Sequence, residues 1–285
     1  MPESILVTGG TGTTGRRISA QLMARALPYR AATRSPKAAT DVRFDWTDDT
    51  TWGAALKEVS SIYLVAPSGV PDPLPVMVPF MERAIGSGVR RFVLLSASSL
   101  EPDGPMMGRV HAWLRDHAPE WVVLRPSWFM QNFSERQHLA SIRDESAIYT
   151  AAENGRVGFI DAEDIAAVAV EALSQPEFAS GDVILTGPAA LSYDDVARTL
   201  SAVLDRPVRH RRLSVAGLAA RHAANGLPEA YAEALAAMDA SIAAGSEDRV
   251  TGAVVRLAGR PAKALAYFAA ASAEVWRSSR PAPLG

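Results

Sequence analysis

Short apolar runs alternate with amphipathic stretches through the N-terminal half of the chain. The first run, Ile5–Val7, is followed by Ile18 and Leu22 at helical spacing. Runs that are apolar throughout are typical of parallel strands, which are buried on both faces. The pattern predicts strands at 29–33, 42–45, 61–65, 91–95 and 121–124, separated by helices at 48–56, 73–88 and 104–117. This alternation predicts parallel β-α-β units and an α/β fold whose ligands bind at the carboxyl ends of the strands.

A glycine-rich loop joins the first predicted strand to the first helix. Gly9, Gly12 and Gly15 stand at G-x-x-G-x-x-G spacing. In this strand–turn–helix context the glycines let the backbone approach a pyrophosphate, whose charge is stabilised by the N–H groups at the helix N-terminus. The pattern predicts an NAD(P)-binding Rossmann domain, a doubly wound parallel sheet; a plain glycine turn between two packed elements is the alternative. The cofactor-binding candidates of this loop are Gly9, Thr11, Gly12, Thr13, Thr14 and Gly15.

The residues after the second predicted strand indicate which cofactor is bound. An NAD-specific site would place an acidic side chain there for the ribose hydroxyls, whereas this chain has Arg34 and Lys37. A guanidinium pairs with a phosphate and stacks on adenine. We therefore predict NADP(H), although Arg34 as an ordinary surface arginine remains the alternative. Further cofactor-binding candidates stand at the ends of later strands: Asp45, Trp46, Ala66, Pro67 and Pro126.

The C-terminal part of the chain is alanine-rich and mainly helical. Two apolar stripes are interpreted as core; they comprise Tyr231, Leu235, Met238 and Ile242, then Leu265, Phe268 and Val275. The predicted domains are a Rossmann domain at 1–155, to which 156–186 partly returns, and a smaller substrate-binding or lid region at 187–285.

Composition narrows the class of protein. With 285 residues and 48% hydrophobic residues, the chain can bury a large core. It contains no cysteine, which excludes disulfides, thiolate zinc sites and thiol nucleophiles.

A net charge of -2 argues against nucleic acid as a partner, and the basic cluster at 206–212 is interpreted as a solvated strand face. No apolar run reaches the roughly 18 residues of a membrane span, so we expect a soluble, cytoplasmic protein without a membrane partner. The histidines show no metal-ligand spacing, so we expect no metal site. The oligomeric state stays open.

Several segments together resemble the NmrA-like family, a branch of the atypical short-chain dehydrogenase/reductase group. The matching segments are 5–15, Arg34, Leu124–Phe133, Phe159–Ala166 and Leu185–Pro188. The resemblance implies NADP(H) in the Rossmann part and a substrate cleft between the two domains. Members of the family include quinone reductases, alkaloid-pathway iminium reductases similar to festuclavine dehydrogenase, and nucleotide-sensing regulators.

The chain lacks the usual catalytic pair of short-chain dehydrogenases. No tyrosine is followed four residues later by lysine. Hydride addition to a ketone makes a strongly basic alkoxide that requires a proton donor, whereas an iminium ion or a quinone requires little more than positioning. We therefore predict an NADPH-dependent oxidoreductase acting on a small imine, iminium, quinone or activated enone. A non-catalytic NADP redox sensor is the alternative, and redox-neutral isomerisation is a third possibility.

Two side chains are candidates for the missing proton donor, and four for the substrate pocket. Ser98 follows the fifth strand, with Ser96 and Ser99 as competitors, and His111 lies on the helix that would pass the cleft. For His111, a helix-surface histidine is the alternative. The residues after Pro126 either line the substrate pocket or pack in the core; they are Ser127, Trp128, Phe129 and Phe133.

Overall fold

The computed structural model describes residues 4–277, so the first and last residues of the predicted domains lie outside the described part. The strands are β1 (Ser4–Val7), β2 (Tyr29–Thr33), β3 (Asp41–Arg43), β4 (Val59–Leu64), β5 (Arg91–Leu95), β6 (Glu120–Pro126), β7 (Ala147–Thr150), β8 (Arg156–Val157), β9 (Gly181–Leu185), β10 (Leu191–Ser192) and β11 (Arg209–Arg212). The helices are α1 (Gly15–Ala24), α2 (Trp52–Leu56), α3 (Leu74–Gly86), α4 (Met107–His117), α5 (Gln131–Ser134), α6 (Leu139–Glu145), α7 (Ala162–Ser174), α8 (Tyr193–Leu204), α9 (Val215–Ala224), α10 (Glu229–Ala243), α11 (Ala253–Ala258), α12 (Leu265–Ala271) and α13 (Glu274–Arg277).

A seven-stranded sheet forms the centre of the first part of the chain. Within the described residues its order is β3-β2-β1-β4-β5-β6-β9, and every neighbouring pair is parallel. The strand order reverses between β1 and β4, which makes their carboxyl ends the switch point where dinucleotides bind in such sheets. The predicted α/β Rossmann architecture is confirmed.

The chain divides into two compact units. Of the described residues, the first unit holds 4–126, Ala162–Leu185 and Ala253–Arg260, and the second holds Ser127–Asp161, Thr186–Gly252 and 261–277. These bounds differ from the predicted ones, because the chain leaves the first unit after Pro126 rather than at 155. It also returns to the first unit at 253–260, where α11 packs on α7 and β9.

The first unit is built around apolar strand residues and an aromatic group. Leu6, Ile62 and Phe92 are each 0% exposed in its core. Phe80, on α3, contacts Phe44 edge to face, with their ring centroids 4.9 Å apart. Burial of such side chains is the main favourable term that holds the helices on the sheet.

The second unit has its own core and two small sheets. β7 pairs with β11 in parallel, and β8 pairs with β10 in antiparallel orientation. Phe133, Phe159 and Tyr193 meet edge to face in this core. Helix α8 begins with a capping box between Ser192 and Asp195.

The interpretation of the C-terminal apolar stripes as core is wrong for three of their members. Tyr231 is 56% exposed, and Met238 and Val275 are each 39% exposed. On α10 the buried stripe instead consists of Ala232, Ala236, Asp239 and Ile242. Small side chains let the helix approach its neighbours closely, so this stripe faces inward and the large residues face outward. Across the described residues, no helix has the length and apolar character needed to cross a bilayer.

Candidate cofactor site and active site

The glycine loop is packed so closely that side chains would not fit at two positions. A Cβ added at Gly15 would lie 2.2 Å from the carbonyl oxygen of Gly9. One added at Gly10 would lie 2.8 Å from the Cβ of Ala31. Gly9 itself has a φ of 61°, a conformation that favours glycine, and its carbonyl accepts a hydrogen bond from the Gly12 N–H at 2.8 Å. The loop is therefore shaped by contacts of backbone on backbone.

The N-terminus of α1 has the properties of an anion site. Its N-cap, Thr14, makes no side-chain capping hydrogen bond, and its first turn contains no acidic residue. Amide groups at such a helix start carry a partial positive charge. The residues present therefore fit the pyrophosphate of a dinucleotide, which the backbone of Gly12–Gly15 would hold.

Thr14 contributes to this site through its backbone rather than its side chain. The Thr14 side chain is buried, and its Oγ1 accepts a hydrogen bond from the Tyr63 hydroxyl at 3.0 Å. Thr8 makes a similar link, because its Oγ1 donates to the Tyr63 carbonyl at 2.8 Å and accepts from the Val65 N–H at 2.9 Å. These bonds join the ends of β1 and β4 at the switch point. The sequence analysis missed both Tyr63 and Thr8 as supports of the loop.

The segment after β2 fits a phosphate better than a ribose diol. Arg34 and Lys37 are both exposed there. The nearest acids are already engaged: Asp41 accepts the Lys37 N–H at 2.7 Å, and Asp45 accepts both the N–H and the hydroxyl of Thr47. Backbone hydrogen bonds, first from Ala38, hold the pKa of Asp41 below its usual value. Those acceptor roles leave the cationic side chains of Arg34 and Lys37 as the charged groups that an adenosine 2′-phosphate would meet.

Asp45 and Trp46 have structural contacts that their predicted role at the adenine did not anticipate. The Thr47 N–H, more than the field of Arg34, keeps the pKa of Asp45 below its usual value. Trp46 is half-buried and packs edge to face on Phe44 and Phe80, with ring centroids 5.0 and 5.3 Å away. Contact of these two residues with adenine stays a prediction.

Ala66, Pro67 and Pro126 lie at the carboxyl edge of the sheet, as predicted. Ala66 and Pro67 are half-buried beyond β4. Pro126 ends β6, and its carbonyl accepts the Ser98 N–H at 2.9 Å. Ligands bind at this edge in such folds.

The segment after β5 contains the serine candidates. Ser98 is 4% exposed, and its carbonyl accepts a hydrogen bond from Arg125 at 3.2 Å. Ser96 is 9% exposed, and its Oγ has no hydrogen-bond partner within residues 4–277. A buried hydroxyl without a partner costs free energy, so Ser96 becomes a candidate beside Ser98 for contact with a ligand.

The structure places His111 in the core and not on the helix surface, which argues against its predicted role as the proton donor. Its side chain is 1% exposed, and its ring lies 5.5 Å, centroid to centroid, from that of Trp121 at the start of β6. Burial keeps the pKa of His111 below its usual value, so the imidazole is neutral at pH 7. Because α4 turns this residue towards the sheet, the ring packs in the core of the first unit.

The four pocket candidates lie in the second unit and form a buried pair and a half-buried pair. Phe133 is 0% exposed in the core of this unit, and Ser127 is buried with its hydroxyl donating to the Gly158 carbonyl. For these two residues the burial supports the core alternative over the predicted pocket role. Trp128 and Phe129 are half-buried and remain candidates.

A groove of about 670 Å³ lies elsewhere in the first unit. Its lining includes Val122, Gly181 and Arg256, at the amino-terminal ends of β6 and β9 and on α11. Ligands of parallel sheets bind at the opposite, carboxyl edge, so this groove is not the candidate active site. Within the described chain, no group of three or more His, Asp or Glu side chains is placed to hold a metal.

Comparison with known proteins agrees with this geometry. The family model described as NAD(P)H-binding matches residues 9–176, and the NmrA-like family model matches residues 109–251. The uncharacterized oxidoreductase YesF of Bacillus subtilis is 44% identical over 96% of this chain and 96% of its own. Agroclavine dehydrogenase of Claviceps fusiformis is 39% identical over 96% of this chain and 98% of its own. The structure of the NADPH-dependent quinone oxidoreductase QOR2 of Escherichia coli, complexed with NADPH, superposes with a TM-score of 0.80 at 23% identity, covering 94% and 99% of the two chains.

Fold, glycine loop and full-length relatives lead to one conclusion. The expectation of an NADP(H)-dependent reductase is confirmed. The chain belongs to the NmrA-like family and is an NAD(P)H-binding oxidoreductase.

Proposed function

We propose that this oxidoreductase uses NADPH to reduce a small organic acceptor that needs no strong proton donor. The acceptor classes are an imine or iminium ion, a quinone, and an activated enone. When bound, NADPH supplies the hydride. The protein then has to hold the cofactor and the acceptor in a reactive geometry.

The observation that carries the proposal concerns Tyr63. This tyrosine touches the glycine loop, yet it is 0% exposed, and its hydroxyl donates to Thr14. Burial raises the pKa of Tyr63 above its usual value. No lysine follows it at the fourth position, which is Pro67. Tyr63 therefore supports the loop and does not protonate a substrate.

The lysine of the second unit does not replace the missing pair. Lys263 lies over the ring of Tyr267, with Nζ 5.7 Å from the ring centroid. This is a cation–π contact with the ring face, and the order along the chain is lysine before tyrosine. Together with the buried position of His111, this leaves serine hydroxyls as the polar groups beyond β5. Hydroxyls position an acceptor but are weak acids, which favours acceptors that yield weakly basic products.

The preference for NADPH over NADH rests on Arg34. Its guanidinium is exposed beyond β2, while Asp41 and Asp45 are engaged by backbone and hydroxyl donors. The agroclavine dehydrogenase that resembles this chain is named for a small organic substrate, which agrees with the proposed acceptor size.

A panel assay tests the proposal. NADPH oxidation by the purified protein is measured with a cyclic iminium ion, a quinone, an activated enone and a simple ketone at equal concentrations. We expect turnover with at least one of the first three and little with the ketone. Efficient reduction of simple ketones alone would overturn the acceptor class. Absence of turnover with all four, together with unequal affinities for NADP⁺ and NADPH, would instead support a redox-sensing role.

A further inference from the structure

Arg125 is a buried cation near the carboxyl end of β6. Its side chain is 5% exposed. Nη1 donates to Oδ2 of Asp182 at 2.7 Å, and Nη2 donates to the Ser98 carbonyl at 3.2 Å and to a carboxylate oxygen of Glu101. One guanidinium thus joins β6, β9 and the segment after β5.

The segment after β5 is held at several points by the end of β6. The Ser96 N–H donates to the Leu124 carbonyl at 2.8 Å, and the Ser98 N–H donates to the Pro126 carbonyl at 2.9 Å. Arg125 adds the bond to the Ser98 carbonyl. Ser98 is therefore fixed at both its amide and its carbonyl, and the carbonyl bond requires a side chain.

Stability alone does not account for this arginine. Removing a guanidinium from water is costly, and a buried ion pair often stabilises a protein no more than apolar residues would. Glu101, one of its two acidic partners, is 69% exposed, so water weakens that pair. What the arginine supplies is a fixed position for the chain between Ser96 and Glu101.

The same sheet offers a matched control at its other edge. Arg91 begins β5 with a side chain that is 8% exposed. It donates to the carbonyls of Ala172 and Pro176, at 3.2 and 2.8 Å, and to Glu120 at 2.8 Å. Both arginines are buried and bind carboxylates and backbone carbonyls: Arg125 binds two carboxylates and one carbonyl, and Arg91 binds one carboxylate and several carbonyls. Only Arg125 touches the edge where ligands of this fold bind.

We propose that Arg125 is a positioning residue for the reduction: it holds the segment 96–98 so that the Ser96 and Ser98 hydroxyls keep a fixed position beside the nicotinamide. Its effect on turnover rests on the proposed function, whereas its effect on the segment does not. Ser96 supports the inference, because its buried Oγ has no partner among residues 4–277. A buried hydroxyl of this kind is satisfied when a ligand reaches it.

The experiment compares R125M and R125K with R91M in the full-length protein. We expect R125M to lower kcat by about 10- to 100-fold while the dissociation constant for NADPH changes less than about threefold. R125K, which keeps the positive charge on a single donor nitrogen, should recover part of the loss. R91M should lower the melting temperature to a similar extent but leave kcat unchanged at temperatures where it is folded. Equal losses of kcat in R125M and R91M would overturn the inference.

A second readout does not require turnover. In the NADPH-bound protein, the Ser98 amide should exchange with deuterium at least about tenfold faster in R125M than in the wild type, and at the wild-type rate in R91M. If R125M does not fold, R125K gives the same comparison with a smaller increase. Unchanged exchange in both variants would overturn the positioning role. If the wild type reduces no acceptor, the proposed function fails, and the amide exchange still decides the role of Arg125.

Discussion

The glycine loop of the first unit and the α9–α10 pair of the second unit are built in opposite ways. In the loop, backbone touches backbone, and an added Cβ at Gly15 would lie 2.2 Å from the Gly9 carbonyl. The α9–α10 pair packs on the rest of its unit through a small apolar cluster of Ala151, Leu218 and Ala236 and through Ile242, which lies in the larger core. Its large side chains Tyr231 and Met238 face outward.

The difference indicates that the two regions tolerate substitution to different extents. A loop made of backbone contacts holds one rigid geometry, which suits a diphosphate that is the same in every reaction cycle. Outward-facing side chains of this helix pair can change without loss of the fold. We therefore expect substitutions in the loop to act on cofactor binding and stability, and substitutions of the outward-facing side chains of α10 to act on neither.

The largest effect is expected for Gly15→Ala. The new methyl group would collide with the Gly9 backbone, which cannot move without opening the turn, so NADPH binding should be abolished and stability lowered by about 2–4 kcal/mol. Calorimetric titration with NADPH and urea unfolding measure the two quantities. Gly86→Ala is the matched control, because nothing lies within 4 Å of its added Cβ, and it should be neutral or stabilising. Normal NADPH affinity in Gly15→Ala would contradict the role of the loop.

The second effect is expected for Arg34→Ser. Loss of the guanidinium should weaken NADPH binding by about 10- to 100-fold and change NADH binding less than about threefold, since only NADPH carries the 2′-phosphate. The same titrations with Arg90→Ser provide the control, because Arg90 is 73% exposed and precedes β5 at the amino edge of the sheet. Equal losses of affinity for NADPH and NADH would show that Arg34 does not bind the 2′-phosphate.

The third effect concerns Asp239, which attaches α10 to the second unit. It is 6% exposed, accepts the Ala151 N–H at 2.8 Å, and burial raises its pKa to about 6. The folded protein therefore binds this proton more tightly than the unfolded chain does. The free energy of unfolding should fall as the pH rises from about 4 to 6, because in this range the Asp239 carboxyl ionises in the unfolded chain but stays protonated in the folded protein.

Asp239→Asn tests this pH dependence, since asparagine keeps a carbonyl acceptor for the Ala151 N–H but cannot ionise. At pH 7 the variant should be more stable than the wild type by on the order of 2 kcal/mol. The decrease in stability that the wild type shows between pH 4 and 6 should be absent from the variant. Urea unfolding from pH 4 to 8 measures both. Glu233→Gln, on an exposed position of the same helix, should keep the wild-type profile. A profile in Asp239→Asn that matches the wild type would rule out Asp239 as its source.

The smallest effect is expected for Tyr231→Ala and Met238→Ala. Because both side chains are exposed, the free energy of unfolding should change by less than about 0.5 kcal/mol, with NADPH affinity unchanged. Val255→Ala, a 53% exposed position in the first unit, serves as the control. A loss of stability above about 1 kcal/mol would mean that this face is covered in solution.

Local patterns in the sequence were sufficient for the sheet and the cofactor loop. The strand predicted at 29–33 and the one at 91–95 coincide with β2 and β5. Parallel strands buried on both faces leave continuous apolar runs, and a phosphate loop needs glycine at fixed spacing, so both features are visible without tertiary information. The charge of Arg34 at the end of β2 is likewise readable from its position in the chain.

The tertiary structure alone decided which face of each helix is buried and what the buried polar groups contact. Periodicity on α10 favoured Tyr231 and Met238 as core, yet the alanine stripe with Asp239 packs inward because small residues permit a closer approach. His111 and Phe133 are polar and aromatic groups that suit a site by residue type, but α4 and α5 turn them into the two cores. Arg125 was visible in the sequence only as a charge within an apolar strand, and its bond to Ser98 joins residues 27 positions apart. Side-chain direction and long-range partners depend on neighbouring elements, which no local pattern specifies.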